Sequence, residues 1–325
     1  MTEVKNIWGS VLFSYDENTT TLSEEISKHK DLIGADLLGE DLSGADLSNA
    51  DLKGANIRVA DLRWADLSGA NLSGADLIGA DLTGANLSGA DLNGADLKST
   101  DIRCAYIVNS DLKGADLKGA DLSNANLKGA NLSNANLKGA NISNADLRGA
   151  NISNADLSNA SLRDANLRDT SLSDANLSGA NLRWADLRWA DLLGAKLDGT
   201  EIRNADFIYA KNVPDGLPMA CPCEGSFIAW KNVNYDYIVK LEIPEDAKRS
   251  SATGKKCRCS KAMVLEITNM NTGEKIDEVV NWNFTQCTYK VGEMVFPDSF
   301  DDNRWNECSN GIHFFVNRDD AVNYC

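Results

Sequence analysis

The chain has few of the residues that carry out catalysis and no sign of a membrane anchor. Its 325 residues include two histidines, and neither lies between residues 31 and 210, where Cys104 is the single cysteine. Because acid–base and nucleophilic sites depend on such side chains, we expect no catalysis in that segment. No apolar run approaches the roughly 18 residues of a membrane-spanning helix, and the amino terminus lacks the basic flank of a signal peptide. We therefore expect a cytoplasmic protein without a membrane partner.

Basic charge is also scarce. The chain has 32 lysines and arginines against 48 aspartates and glutamates, which gives a net charge of −16. A general nucleic-acid binder must offer positive charge to the phosphates, so we expect no direct nucleic-acid partner. The stretch SATGKK (251–256) ends like a phosphate loop but lacks the first glycine and the final Ser or Thr, so no cofactor is predicted.

What the chain has instead is a period of five. From Leu32 to Phe207 every fifth residue is Leu, Ile or Phe, and the residue two places earlier is nearly always Ala. On an α-helix this spacing rotates each residue by about 140° from the last, and on a flat strand it alternates between faces. A coil that turns a corner every five residues would instead point every leucine at one axis. The corner position is mostly Gly or Asn, which tolerate a positive φ. The polar exceptions in the alanine column are Glu40, Thr100, Ser110, Thr170 and Thr200.

The repeat resembles the pentapeptide-repeat family, whose pattern is A(D/N)LXX. The stretches GADLSNADLKGANI (44–57) and GANLSGADLIGADLTGANL (69–87) follow that pattern without a gap. The resemblance covers residues 31–210 and implies a mainly β fold, a right-handed quadrilateral β-helix with four quintets per coil. Thirty-six quintets then make about nine coils, and at the usual strand spacing the solenoid is about 43 Å long.

The flanking segments break the period. Residues 1–30 are predicted to form an amino-terminal cap with a hairpin arm and a short helix, because an open solenoid end exposes unpaired backbone. Thr21 and Glu24 are spaced as a capping box at the start of that helix. Residues 211–224 contain three of the five prolines and are interpreted as a linker.

Residues 225–325 are predicted to form a small α+β domain. Strands are expected at SFIAWK, YDYIVKLEI, AMVLEITNM and GIHFFV, followed by a closing helix with Asn317 as its N-cap. The expected apolar core comprises Phe227, Ile228, Trp230, Ile238, Val239, Leu241, Val264, Leu265 and Phe314. AKRSSATGKKCRCSKAMVLEI (247–267) and RWNECSNGIHFFVNRDDA (304–321) resemble an uncharacterised domain that follows pentapeptide repeats in phage and large-DNA-virus proteins. That resemblance implies a viral origin, with the protein in the host cytoplasm or the virion, and implies no activity.

Charged side chains on the outside of the predicted coil form ladders, because residues 20 apart share a side. One ladder is acidic and comprises Asp41, Asp61, Asp81, Asp101 and Asp121; a basic one comprises Lys128, Arg148, Arg168 and Arg188. The family resemblance implies one use for the acidic ladder, since some members inhibit type II topoisomerases by imitating duplex DNA. DNA carries one charge per about 1.7 Å of axis, whereas residues 31–210 would carry one net charge per roughly 4 Å. We therefore favour the interpretation that Asp and Asn simply suit the outside of a soluble coil.

Three tryptophans occupy outward or corner positions, each directly after an arginine. They are Trp64, Trp184 and Trp189. Exposed tryptophan beside arginine is typical of protein interfaces. The alternative is that these rings pack beneath a cap or the terminal domain.

The carboxy-terminal domain offers three weaker candidates. The pairs Cys221/Cys223 and Cys257/Cys259 are spaced more closely than most zinc ligands, which favours inert thiols over a metal site. Cys308 and His313 lack an identifiable third catalytic residue, which favours a structural histidine. The third candidate is the basic segment KRSSATGKKCRCSK (248–261). It could form an anion-binding loop, dock onto an acidic surface, or be a solvated hairpin. Its candidate anion ligands are Arg249, Lys255, Lys256 and Arg258.

These patterns favour a non-enzymatic scaffold that binds a protein partner through the outer faces of the β-helix. The first alternative is a DNA-mimic inhibitor of a topoisomerase or another nucleic-acid enzyme. The second is an anion- or nucleotide-binding activity in the carboxy-terminal domain. The sequence leaves the identity of the partner open, and with it the choice between monomer and homodimer.

Overall fold

The repeat segment forms the four-sided coil that its period predicts. The computed structural model describes residues 1–214, 221–222, 224–251, 255–282, 287–301 and 310–324. The first residue of each quintet pairs in parallel with the residue 20 positions later, from Asp31 and Asp51 to Asp191 and Lys211. Each coil therefore takes 20 residues, which confirms the quadrilateral β-helix.

Backbone hydrogen bonds join each side of a coil to the next coil. Leu42 N donates to the Asp61 carbonyl at 2.8 Å, and Asp61 N donates to the Glu40 carbonyl at 2.9 Å. The fourth residue of each quintet has a left-handed backbone, with φ of +65° at Gly44 and +56° at Asn49. The Gly and Asn preference at that position therefore follows from the corner.

Leucine and alanine side chains fill the interior, and most are completely buried. Thr100 and Ser110, which replace alanine, are buried too, and each hydroxyl donates to a carbonyl of the preceding coil: Leu77 O at 2.9 Å and Leu87 O at 2.6 Å. A buried hydroxyl with a partner avoids most of its desolvation cost. Glu40, at the start of the coil, remains exposed.

The amino-terminal segment forms the predicted hairpin and helix and packs onto the first coil. Strands β1 (Thr2–Lys5) and β2 (Val11–Tyr15) pair antiparallel, and α1 (Leu22–Ile26) follows. The capping box of Thr21 and Glu24 is confirmed, with both reciprocal bonds present. Ile7 N donates to Gly34 O at 2.7 Å, and Ile26 is fully buried. The hairpin thus satisfies part of the backbone at the end of the solenoid.

The carboxy-terminal unit is built mainly of short antiparallel strands. Its described strands are β3 (Phe227–Val233), β4 (Tyr237–Ile243), β5 (Arg249–Ser250), β6 (Lys256–Cys259), β7 (Ala262–Asn269), β8 (Lys275–Ile276), β9 (Glu278–Asn281), β10 (Cys287–Lys290), β11 (Met294–Val295) and β12 (Ile312–Phe315), and its described helix is α2 (Arg318–Val322). The main sheet has the order β11-β7-β4-β3-β12-β6-β5, with β8 beside β7, and β9 pairs with β10 separately. The helix begins at the predicted N-cap, because Asn317 accepts a hydrogen bond from Asp319 N.

The predicted core of this unit is correct on most positions and wrong on two. Val239, Leu241, Val264 and Phe314 are fully buried on one face of the sheet, and Phe227 packs against them. Ile238 and Trp230 pack on the opposite face with residues of the helix region.

The two errors have identifiable causes. Ile228 is 40% exposed, because it alternates with Phe227 and Ala229 on the strand. Leu265 is 37% exposed: Leu241 pairs with Val264 and Lys240 with Glu266, which leaves Leu265 as the extra residue of a β-bulge.

The chain divides into two compact units, Met1–Asp215 and Gly216–Cys325. Within the described ranges, no helix reaches the length and apolarity needed to cross a lipid bilayer.

Candidate functional site

The five acidic residues singled out in the sequence lie in one column of the β-helix. Asp41, Asp61, Asp81, Asp101 and Asp121 are joined in succession by parallel bridges. Each also accepts a hydrogen bond from the backbone two residues later, as in Asp41 Oδ1 with Ser43 N at 3.0 Å and Asp81 Oδ1 with Thr83 N at 2.9 Å. This is an Asx turn, so Asp or Asn at the first position stabilises the corner. The column thus has a structural cause that is independent of any partner.

Arginines of the same side neutralise part of this column. Arg63 pairs with Asp61 and lies 3.8 Å from Asp81, and Arg103 pairs with Asp101 at 2.7 Å. The hydrogen bond from Arg63 lowers the pKa of Asp61. Burial opposes a decrease at Asp101, but the bonds from Arg103 outweigh it and lower the pKa of Asp101. Ion pairs thus offset part of the charge at Asp61, Asp81 and Asp101, while Asp41 and Asp121 form none among the described residues.

Aspartates in turn neutralise two members of the basic ladder, Arg148 and Arg188. Arg148 contacts Asp146 at 2.5 Å, and Arg188 contacts Asp186 at 2.5 Å and Asp206 at 3.4 Å. Both ladders are therefore paired at some positions and unpaired at others among the described residues, and exposed pairs of this kind are screened by salt.

The three tryptophans occupy corner positions with a strained backbone. Trp64, Trp184 and Trp189 have φ of +61°, +64° and +64°, and their exposed fractions are 68%, 54% and 46%. An L-residue with a bulky side chain rarely adopts this region, and the cost is about 1–2 kcal/mol. Gly or Asn occupies most other corners without that cost. The three tryptophans therefore stand at positions where the backbone favours a smaller residue.

Two of the tryptophans belong to an aromatic patch that the sequence reasoning only partly identified. Trp189 stacks on Tyr209 of the next coil, with ring centroids 4.3 Å apart and planes inclined by 24°. Tyr209 is also at a left-handed corner, with φ of +60°, and is 57% exposed. Its spacing of 20 from Trp189 was the signal that could have found it. Trp184 occupies the preceding corner, five residues before Trp189, and the ring contact among the described residues is that of Trp189 with Tyr209. We call Trp184, Trp189 and Tyr209 the aromatic patch. Trp64 lies apart, with its ring over Gly84 of the following coil.

The candidate anion-binding side chains of the carboxy-terminal unit do not share one surface. Arg249 donates to the carbonyls of Gly225 and Pro244, at 2.5 and 2.8 Å. Lys255 pairs with Asp320 at 2.5 Å, while Arg258 is buried and donates to Ser250 Oγ at 3.1 Å. Lys256 lies at the edge of a cavity. The loop proposed from sequence stays a prediction, because residues 252–254 lie outside the described residues.

The cysteines that the structure describes in this unit are mostly buried thiols. Cys257 and Cys259 point into the same apolar face of the sheet and are fully buried. A hydrogen bond with Cys221 and burial raise the pKa of Cys257, and burial raises the pKa of Cys259 to about 12. Within the described part of the chain, no cluster of three or more His, Cys, Asp or Glu is placed to hold a metal. Cys223 and Cys308 lie outside the described residues, and with them the proposed Cys308–His313 pair.

The carboxy-terminal unit also contains a cavity of about 590 Å³ that no sequence pattern indicated. Lys231 lies in its wall, on β3, together with Tyr289 and the backbone of His313. No local pattern distinguishes this lysine, because KNVNYDY (231–237) resembles an ordinary polar turn between two strands.

Family comparisons agree with the geometry of the coil. Models of pentapeptide repeats match residues 31–63, 60–98, 80–119, 115–154, 150–188 and 180–211, which together exceed half of the chain. The chain belongs to the pentapeptide-repeat family. Residues 217–321 match a family of unknown function, DUF5758. Both resemblances seen in the sequence are thereby confirmed, and the viral origin stays a prediction.

Several solved pentapeptide-repeat structures align with the chain. HetL, involved in regulating heterocyst differentiation in the cyanobacterium Nostoc sp., is 38% identical, with 57% of this chain and 90% of HetL covered and a TM-score of 0.27. QnrB1, a plasmid-mediated fluoroquinolone resistance protein, is 27% identical, with coverages of 54% and 90% and a TM-score of 0.36. A pentapeptide-repeat protein of the Arabidopsis thaliana thylakoid lumen is 30% identical, with coverages of 40% and 69% and a TM-score of 0.20. No curated protein matches the chain.

Proposed function

We propose that this pentapeptide-repeat protein is a non-enzymatic scaffold that binds a partner protein through the outer faces of its β-helix. The observation that carries the proposal is the aromatic patch, where three large rings are held at left-handed corners and remain about half exposed. Backbone strain that the fold does not need is a common mark of a functional surface. Tryptophan, tyrosine and arginine are also the residues most enriched where protein interfaces gain their affinity.

The interior of the coil supports a role for its surface. Leucine and alanine fill the axis from Leu32 to Phe207, so the repeat offers a ligand no cavity along that axis. Its outside, in contrast, repeats every coil with rigid backbone spacing. A rigid surface pays little ordering cost when a partner binds.

DNA mimicry has weaker support. Arginine pairs offset part of the charge of the acidic column, which lowers the density of net charge below that expected of a duplex. The aromatic patch has no counterpart in the outer surface of duplex DNA. We therefore place DNA mimicry second.

Capture experiments with matched corner variants test the proposal. The full chain, a Trp184→Asn/Trp189→Asn double variant and a Val59→Asn variant would each be immobilised, and retained proteins quantified by mass spectrometry. Val59 is a matched control, because it is also an exposed residue at a left-handed corner, with φ of +48°. We expect a partner that the full chain and the Val59 variant retain and the double variant loses. Equal retention by all three, or none by the full chain, would count against the proposal.

A further inference from the structure

The cavity in the carboxy-terminal unit lies where two neighbouring strands of the main sheet separate. β12 pairs with β6 at four positions but with β3 only at Phe315 and Trp230. Beyond that pair the two strands diverge, and the carbonyl of His313 receives a side chain, Lys231 Nζ at 3.3 Å, in place of a backbone amide of β3. The opening is therefore built into the sheet, since it lies between strands that are themselves anchored on their other edges.

Lys231 is the unusual group in this opening. Its ammonium lies 5.9 Å from the centre of the Tyr289 ring, and Tyr289 is almost fully buried. No carboxylate among the described residues lies within ion-pair distance of it. Its side chain keeps some contact with solvent through the cavity, yet desolvation, together with the charge of Lys256, lowers the pKa of Lys231 to about 8. A cation withdrawn from water without an acidic partner is costly and is seldom kept without a use.

The rest of the lining combines four Tyr and Phe rings with asparagines and other polar side chains, and it contains a second lysine. Lys256 Nζ donates to Tyr324 Oη at 3.2 Å, and both residues line the cavity. Tyr235 and Phe315 add further rings to the wall. Asp298 is the one acidic side chain of the described lining, against the two lysines Lys231 and Lys256. A volume of about 590 Å³ lies within the range of small-molecule sites.

We propose that this cavity binds a small organic anion, a phosphate or carboxylate attached to an aromatic ring, with the ammonium group of Lys231 as its main contact. The anionic group supplies the charge that the described protein residues do not place beside Lys231. The ring of the ligand packs against the tyrosine and phenylalanine side chains of the wall. The aromatic lining and the volume exclude a bare inorganic ion as the best fit.

Binding of simple probes to the full chain tests this proposal. Phenyl phosphate and benzoate represent the two anionic groups, and benzyl alcohol is their neutral match. Titration calorimetry and thermal unfolding would be followed for the full chain, a Lys231→Met variant and a Lys275→Met variant. Lys275 is the matched control, because its ammonium is held by Glu266 and does not line the cavity.

We expect saturable binding of at least one anion, which also raises the melting temperature. Lys231→Met should weaken that binding at least tenfold while the protein stays folded, since methionine replaces a buried charge by an apolar chain of similar length. Lys275→Met should bind within about twofold of the full chain, as expected for an exposed charge outside the cavity.

Three outcomes would overturn the proposal. One is the absence of binding of both anions to the folded full chain at about 10 mM, a concentration that reveals a millimolar Kd. Another is equal binding by Lys231→Met. The third is binding of benzyl alcohol as tight as that of the anions, which would show an apolar pocket without a role for the cation.

Discussion

At the scale of single residues, the corner of the quintet controls which side chains are unusual. Every side of the coil needs one residue with positive φ, and Gly, Asn and Asp supply it at most positions. Trp184, Trp189 and Tyr209 occupy the same corners at a conformational cost of about 1–2 kcal/mol each. A large side chain at a position where a small one fits better is the clearest local departure from the repeat.

Replacing one of these rings should have a small effect on stability. For Trp184→Asn, the relief of backbone strain opposes the loss of the half-buried ring, so we expect the free energy of unfolding to change by about 1 kcal/mol or less. A core tryptophan would cost about 3–5 kcal/mol. Chemical denaturation of the full chain and the variant measures the difference. A loss of about 3–5 kcal/mol in the free energy of unfolding would show that the ring is a packing residue. That result would support the alternative that these tryptophans pack beneath a cap or the terminal domain.

At the scale of the element, the outer ladders are held by charge pairs that depend on pH. The hydrogen bond from Arg148 lowers the pKa of Asp146 below its ordinary 3.8, and Arg63 does the same for Asp61. A carboxyl whose folded pKa lies below its unfolded value contributes stability above pH 3.8, and this contribution is lost as pH falls through the folded pKa. The ladders therefore stabilise the coil at neutral pH and cease to do so in acid.

Removing one arginine should expose this dependence. Arg148→Gln is expected to lower the melting temperature slightly at pH 7, and the difference from the parent chain should shrink as the pH falls below 3.8. Lys113→Gln is the control, because Lys113 forms no ion pair among the described residues and should show little difference at either pH. Melting temperatures at pH 7 and pH 3 decide the matter, and a deficit for Arg148→Gln that persists in acid would assign the effect to packing.

The elements also show which features a sequence pattern can predict. Every fifth residue from Leu32 to Phe207 points inward without a shift in register, so the period alone predicts the coil. Thr21 and Asn317 act through bonds to backbone two or three residues away, so local spacing was sufficient to find them. Leu265 was misplaced because a bulge shifts the alternation of its strand, and that shift is set by the neighbouring strand. The cavity at Lys231 depends on how β3 and β12 diverge, a tertiary property with no local pattern.

At the scale of the whole molecule, net charge and charge distribution give different impressions. The chain carries a net charge of −16, yet ion pairs offset part of the charge of its ladders. Solubility and the rate of encounter with other proteins depend on the total, whereas imitation of DNA needs an unpaired and regular line of charge. The total alone is therefore a poor guide to function here.

An enzyme assay tests whether the negative charge of the chain imitates DNA. We expect the full chain at micromolar concentration to leave DNA supercoiling by a type II topoisomerase unchanged. Inhibition that fades with added salt, and with replacement of Asp41, Asp61, Asp81 and Asp101 by Asn, would support DNA mimicry instead. Asn is the right replacement, because it accepts the same turn hydrogen bond at these corners, as Asn71 does from Ser73 N at 3.1 Å.

The central claim is that the aromatic patch contacts a partner protein, and oxidative footprinting of the tryptophans tests it most directly. The full chain would be oxidised alone and with the partner retained in the capture experiment, and each tryptophan quantified by mass spectrometry. Trp64 is the internal reference, since it is also an exposed corner residue but lies six coils from Trp184. We predict protection of Trp184 and Trp189 with Trp64 unchanged. Oxidation of Trp184 and Trp189 that is unaffected by a saturating partner would contradict the account.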